Sequence, residues 1–147
     1  MILLKKIRVK ALLFRIGVSA DASCPLCQNA DEWVEHLYFE CEYARMCKNL
    51  LAHRLKVRLD PSSLEECNDA LNLITGRFKR QVFQSLYAGL LYVIWKERNR
   101  AVWDKCIRCP EKVIEELLTD IRQRIEFVLP AKISRSNVEW FRKMMYS

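Results

Sequence analysis

A mostly helical fold with one long central helix is what this sequence predicts, on three observations. Only three glycines and four prolines stand among 147 residues, too few for the many tight turns of a sandwich or barrel. Leucine, glutamate, lysine and arginine are abundant, the composition of helices. Residues 77–105 contain no proline and a single glycine, Gly89, leaving room for an uninterrupted helix of about 40 Å. At 51% hydrophobic the chain can bury a substantial core, and no repeat, low-complexity tract or long linker divides it. A single domain over residues 1–147 is expected, with a cysteine-rich segment at 20–45 and a helical body at 46–147.

The elements follow in order. Residues 3–16 carry apolar side chains at Leu3, Ile7, Ala11 and Phe14, with a second set at Leu4, Leu12, Leu13 and Ile16, and predict a helix that Gly17 stops. Residues 42–55 predict a second helix, with Met46, Leu50 and Leu51 at helical spacing. Asp60-Pro61 offers a break, and Ser62 with Glu65 three residues on reads as a capping box for a short helix reaching about Thr75 and closed by Gly76. The long helix over 77–105 comes next. Pro110 suits a first helical position, Glu111, Glu115 and Glu116 complement that helix's positive end, and the pattern runs to Leu129 before Pro130. A last short helix is expected over 138–145.

Charge and cysteine usage narrow the functions available. The formal charge of +7 arises wholly in residues 76–147, which hold fifteen Lys and Arg against eight Asp and Glu, whereas residues 1–75 hold ten of each. A surplus so placed favours polyanionic partners, with a merely soluble basic surface as the plain alternative. The N-terminal MILLKKIRVKALLFRIG lacks the unbroken apolar stretch of a secretion signal, and the most apolar run, LYAGLLYVIW, is about half a bilayer span. Neither export nor a membrane span is expected, which leaves nucleus or cytoplasm and a reducing compartment. Seven cysteines, an odd number, then point to metal ligation or buried thiols rather than disulfides.

The segment SCPLCQNADEWVEHLYFEC supplies a complete ligand set for one structural zinc ion: Cys24, Cys27, His36 and Cys41, in the spacing C-x2-C-x8-H-x4-C. Four protein ligands close the coordination shell, so structural zinc is favoured over catalytic zinc, which keeps an open position. Buried thiols beside a core histidine are the competing reading, and the matched third and fourth ligands count against it. Asn29 with Glu32 resembles a helix start. Cys41 would lie about 140° around a continuous helix from His36, so that helix must end or distort before Cys41. Trp33, Leu37, Tyr38 and Phe39 are expected to form a small core between the ligands. Asp21, Asp31, Glu32, Glu35, Glu40 and Glu42 make the finger acidic, a surface that repels phosphate, so any nucleic acid would be met by other faces.

The run KIRVKALLFRIGVSADASCPLC, followed by EHLYFEC and later by YVIWKERNRAVW, resembles the zinc-binding region C-terminal to the reverse transcriptase of plant LINE-type (non-LTR) retrotransposons. The resemblance spans roughly residues 5–105 and implies a Cys-Cys-His-Cys site at Cys24, Cys27, His36 and Cys41 in a module accessory to a nucleic-acid enzyme. Polymerase activity is not implied, because the Tyr/Phe-x-Asp-Asp pair is absent, as are the spaced acidic residues of a ribonuclease H. Arg8-Val9-Lys10 stands where the family commonly has Pro-Thr-Lys, and the chain looks like a truncated or stand-alone copy.

Beyond the finger, helical steps place Arg77, Gln81, Ser85, Gly89, Tyr92, Lys96, Arg100 and Trp103 on one side of the long helix. Aromatics mixed with cations let bases stack while phosphates are neutralised, so Arg77, Tyr92, Lys96, Arg100 and Trp103 are the candidate nucleic-acid contacts; an ordinary solvated face is the alternative. Lys79, Arg80, Arg98, Arg108, Arg122 and Arg124 are available to widen a basic patch. Cys106-Ile107-Arg108-Cys109, a second CxxC, reads as ordinary cysteines ahead of a metal site with Cys47, His53 or Cys67, or a redox pair at a helix N-terminus. No residue set for acid/base or nucleophilic catalysis surrounds His53, and no glycine-rich phosphate loop exists. The expected function is therefore non-catalytic binding of RNA or DNA with low sequence specificity. A protein-interaction or self-associating module is the alternative.

Overall fold

The computed structural model describes residues 7–58, 62–129 and 132–147. The expectations at Leu3, Leu4, Asp60-Pro61 and Pro130 lie outside the described residues. Six α-helices run in order: α1 Lys10–Arg15, α2 Glu42–Leu55, α3 Leu64–Leu73, α4 Arg77–Trp103, α5 Pro110–Val128 and α6 Arg135–Tyr146, with a π-helical turn at His36–Glu40 between α1 and α2. Among the described residues the only β pairing is one antiparallel bridge, Ser23 with Asp31, so the mostly α expectation holds.

α2, α4 and α5 pack together, and α3 lies against α4. Val82, Leu86, Leu90 and Ile94, each four residues from the last, form a buried ridge along α4. It meets Ile114, Leu117, Leu118 and Ile121 of α5, while Cys47, Leu51 and Leu55 of α2 join the same core. Each such side chain, fully buried, contributes about 1.5–3 kcal/mol. Gly89 lies on the α5 side rather than on the polar stripe expected of it, because a Cβ there would sit 2.6 Å from Leu117 Cδ1. The missing side chain lets the two helices approach.

α2, α4 and α5 match their expected ranges closely. α1 is shorter than expected, since Ile7, Arg8 and Val9 are not helical. The Lys10 amide donates to the carboxylate of Glu32 at 2.6 Å, which starts the helix there, and Val9 is buried. Its end is a Schellman motif: Gly17 at φ 75° donates to Phe14, and Val18 donates to Leu13. The capping box of α3 is shifted by one residue. Ser63, not Ser62, is the N-cap and accepts from Glu66, whose carboxylate reaches back to the Ser62 amide at 2.8 Å. α6 starts three residues earlier than expected, where Ser134 accepts from the Asn137 amide.

Candidate metal centre

The chain from 21 to 32 doubles back on itself. Glu32 donates to the carbonyl of Ala22 and Cys24 donates to that of Ala30, both at 2.8 Å, closing a narrow loop. Inside it the Gln28 amide donates to the Cys24 carbonyl, with Gln28 in the left-handed region at φ 58°. This curls Cys24-Pro25-Leu26-Cys27 into a knuckle that turns both thiols inward. Helical structure then begins at Val34, not at Asn29. The expected distortion before Cys41 is the π-turn, in which Cys41 donates to the His36 carbonyl five residues back. A turn that holds more residues brings position i+5 nearer to position i than an α-helix does, which returns Cys41 to the side of His36.

The ligand atoms of Cys24, Cys27, His36 and Cys41 consequently lie within 4.8 Å of one another. Cys24 Sγ and Cys41 Sγ are 3.9 Å apart, and Cys27 Sγ and His36 Nε2 are 3.3 Å apart. Tetrahedral zinc with ordinary bond lengths requires about 3.8 Å between two sulfurs and about 3.6 Å between sulfur and nitrogen, so these two pairs fit within a few tenths of an ångström and the widest pair of the set closes by about 1 Å. Cys24 and Cys41 are fully buried, His36 nearly so, and Cys27 is half-buried. Zinc held by Cys24, Cys27, His36 and Cys41 would have four protein ligands and would supply a cross-link among three chain segments.

Local electrostatics favour a thiolate at Cys41. The Cys24–Cys41 hydrogen bond, with burial added, pushes the Cys24 thiol well up and holds Cys41 down, as expected of two sulfurs sharing one proton. Cys41 stands at the N-cap position of α2 without a side-chain cap hydrogen bond, and the backbone amides of Ala44 and Tyr43 help to hold its thiol down. The second ring nitrogen of His36, Nδ1, faces Glu40 Oε2 at 3.7 Å, where a ligand histidine's orienting carboxylate belongs. Leu37, Tyr38 and Phe39 are buried beside the ligands as expected, but Trp33 is largely exposed and Leu26 takes part in its place.

Glu32 departs furthest from its expected place. Instead of adding to an acidic surface it is fully buried, with Arg98 Nε 2.6 Å from Oε1 and Arg98 Nη2 2.7 Å from Oε2. This two-pronged pair bolts the knuckle to α4. A second buried carboxylate, Glu97, accepts from Arg108 Nε at 2.9 Å and Nη2 at 2.6 Å, and Arg108 also reaches Glu116. Neither arginine is therefore available to a basic patch. Arg122 donates to the Met145 carbonyl, and Lys79 and Arg80 are half-buried, Lys79 over the Trp140 ring and Arg80 hydrogen-bonded to the Ile74 carbonyl. The signal that would have located both carboxylate pairs is periodicity: Glu97 and Arg98 fall where the ridge Leu86, Leu90, Ile94 continues toward Ala101.

Of the candidate nucleic-acid contacts, Arg77, Tyr92, Lys96 and Trp103 are exposed, whereas Arg100 is partly covered and lies 3.6 Å from Glu97. Cys106 and Cys109 are exposed thiols, and among the described residues no metal-binding group includes them, Cys47, His53 or Cys67.

No curated protein and no solved structure matches the chain. Residues 1–47 match the family described as zinc-binding in reverse transcriptase, a stretch that takes in all four candidate ligands and ends inside α2.

Proposed function

We propose that this chain is a non-catalytic, zinc-stabilised module related to the plant LINE-type reverse transcriptases, which binds RNA or DNA through the outer face of α4 with little sequence specificity. The observation that carries this is the open end of α4, where Trp103 is 79% exposed and Tyr92 63%, with Lys96 between them in the open and Arg100 at the same end. Exposed rings of this size beside cations provide stacking and charge neutralisation without hydrogen-bond readout, hence the low specificity. The zinc knuckle shapes the domain from the side away from phosphate. One zinc per chain, and a place in the nucleus or cytoplasm, belong to the same reading. No described helix is long and apolar enough to cross a membrane.

Fluorescence anisotropy of the zinc-loaded chain against single-stranded RNA, single-stranded DNA and duplex DNA at two salt concentrations tests the proposal. Binding should weaken steeply with salt and fall in Lys96→Glu/Arg100→Glu. Absence of binding at low salt would overturn it. One observation favours a second reading, a protein-interaction or self-associating module: Phe14, Ile16 and Val18, at alternate positions around the end of α1, are each more than half exposed. Salt-tolerant self-association on a sizing column would mark that case.

A further inference from the structure

A cleft of about 740 Å³ opens between the start of α4, the end of α5 and the start of α6. We infer that it is a nucleotide-binding site, with the phosphate on its cationic rim and the base on its apolar floor. Arg77, Arg124 and Lys132 come to this rim from three different segments, and among the described residues no aspartate or glutamate lines the cleft. Among the described residues none of the three has a carboxylate within ion-pair distance, whereas Arg98, Arg108 and Arg135 each end on one. Like charges gathered round one opening without a counter-ion raise each other's energy, and a bound phosphate removes that cost. Two of the three are arginines, whose forked guanidinium matches phosphate oxygens.

Other features agree with the assignment. Ser134 and Asn137, the first turn of α6, also line the cleft, so the positive end of that helix adds to the same potential. Beneath the rim Phe78 and Ile125 form an apolar floor, and the exposed Gln81 offers an amide with both donor and acceptor to a base edge. The volume lies within the range of roughly 300–1,000 Å³ usual for small-molecule sites. Sharing Arg77 with the outer face of α4, the site rests on the nucleic-acid reading above and names the nucleotide unit that reading leaves general.

The test uses the zinc-loaded full chain with two probes, adenosine monophosphate and a short single-stranded RNA, and two double variants, Arg124→Glu/Lys132→Glu in the cleft and Lys96→Glu/Arg100→Glu outside it. Adenosine monophosphate should bind the parent, with its base protons close to the Phe78 ring by NMR. Its affinity should fall roughly tenfold or more in the cleft variant and stay within twofold in the other. Should the cleft variant not fold, the NMR contact to Phe78 decides. Absence of mononucleotide binding, or equal affinity in both variants, would overturn the cleft assignment. RNA binding that persists and depends on Lys96 would then leave the broader reading standing. Conversely, mononucleotide binding without RNA binding keeps the cleft, with a free nucleotide as its ligand, and removes the nucleic-acid role.

Discussion

The knuckle at residues 20–45 and the body built from α2, α4 and α5 are held by different forces. In the body, a ridge of aliphatic side chains on α4 packs into α5 and α2, and many small contributions share the load. In the knuckle a few polar groups carry it: four candidate metal ligands drawn within 4.8 Å, and one buried carboxylate clasped by Arg98. A structure that depends on few groups fails abruptly when one is lost, whereas a distributed core degrades by increments. Zinc removal by a chelator, or Cys27→Ser, should thus produce the largest effect available, since structural zinc supplies roughly 10 kcal/mol or more of apparent binding free energy. Amide exchange should show residues 20–45 losing protection while α4 and α5 keep theirs. Uniform loss along the chain would break the comparison.

Glu32 and Arg98 join the two regions, and the second prediction addresses that joint. Arg98→Met leaves a fully buried carboxylate with the Lys10 amide as its chief donor, and removing one partner of such a pair costs roughly 3–5 kcal/mol. Glu32→Leu combined with Arg98→Met should cost less than Arg98→Met alone, because no uncompensated charge remains. Urea unfolding of the three zinc-loaded proteins measures this. A single variant no worse than the double would mean that the pair is a solvated contact.

How far the two regions were legible in the sequence differs for the same reason. α4 was legible from a stretch without proline and with a single glycine, and the buried residues Val82, Leu86, Leu90 and Ile94 show the period that such packing leaves; the ligand set is legible too, because zinc demands particular residues at short separations. What escaped depends on partners far away in the chain. Nothing near Glu32 says that it meets a residue 66 positions on, or that Ile7–Val9 is kept from helical form when Lys10 donates to it. Gly89 looked polar by position on the wheel, but its role is the room it gives Leu117. The cap of α3 was ambiguous on its face, since Ser62-Ser63 followed by Glu65-Glu66 reads as a capping box in two registers.

A perturbation confined to the body sharpens the contrast further. Gly89→Val puts a branched side chain where a single Cβ already meets Leu117 Cδ1 at 2.6 Å, and overpacking of this kind costs roughly 1–3 kcal/mol. Gly89→Ala should come out near neutral, because about 1 kcal/mol gained in helix propensity offsets the displacement of a side-chain end. Thermal melts should show this order while zinc affinity stays constant in both variants. A loss of zinc affinity in Gly89→Val would show the regions to be more tightly coupled than their separate forces suggest.

A smaller loss than that of Gly89→Val is expected at the cap of α3, which belongs to neither the ligand set nor the apolar ridge. Ser63→Ala removes the acceptor for the Glu66 amide and should cost about 1 kcal/mol, read as fraying of α3 by amide exchange. Acid should act in the same direction. The Ser62 amide, with its hydroxyl, holds the Glu66 carboxyl below its ordinary value, so the cap's contribution is present at neutral pH and is lost as pH falls below the ordinary carboxylate range. Acid also protonates zinc-bound thiolates, and the two losses are separable. If α3 is governed by its own cap, its amides should fray over the same pH interval in Cys27→Ser as in the parent, and Glu66→Gln should abolish that pH dependence. Fraying that instead follows zinc release would place α3 under the control of the knuckle, against the division drawn between the two regions.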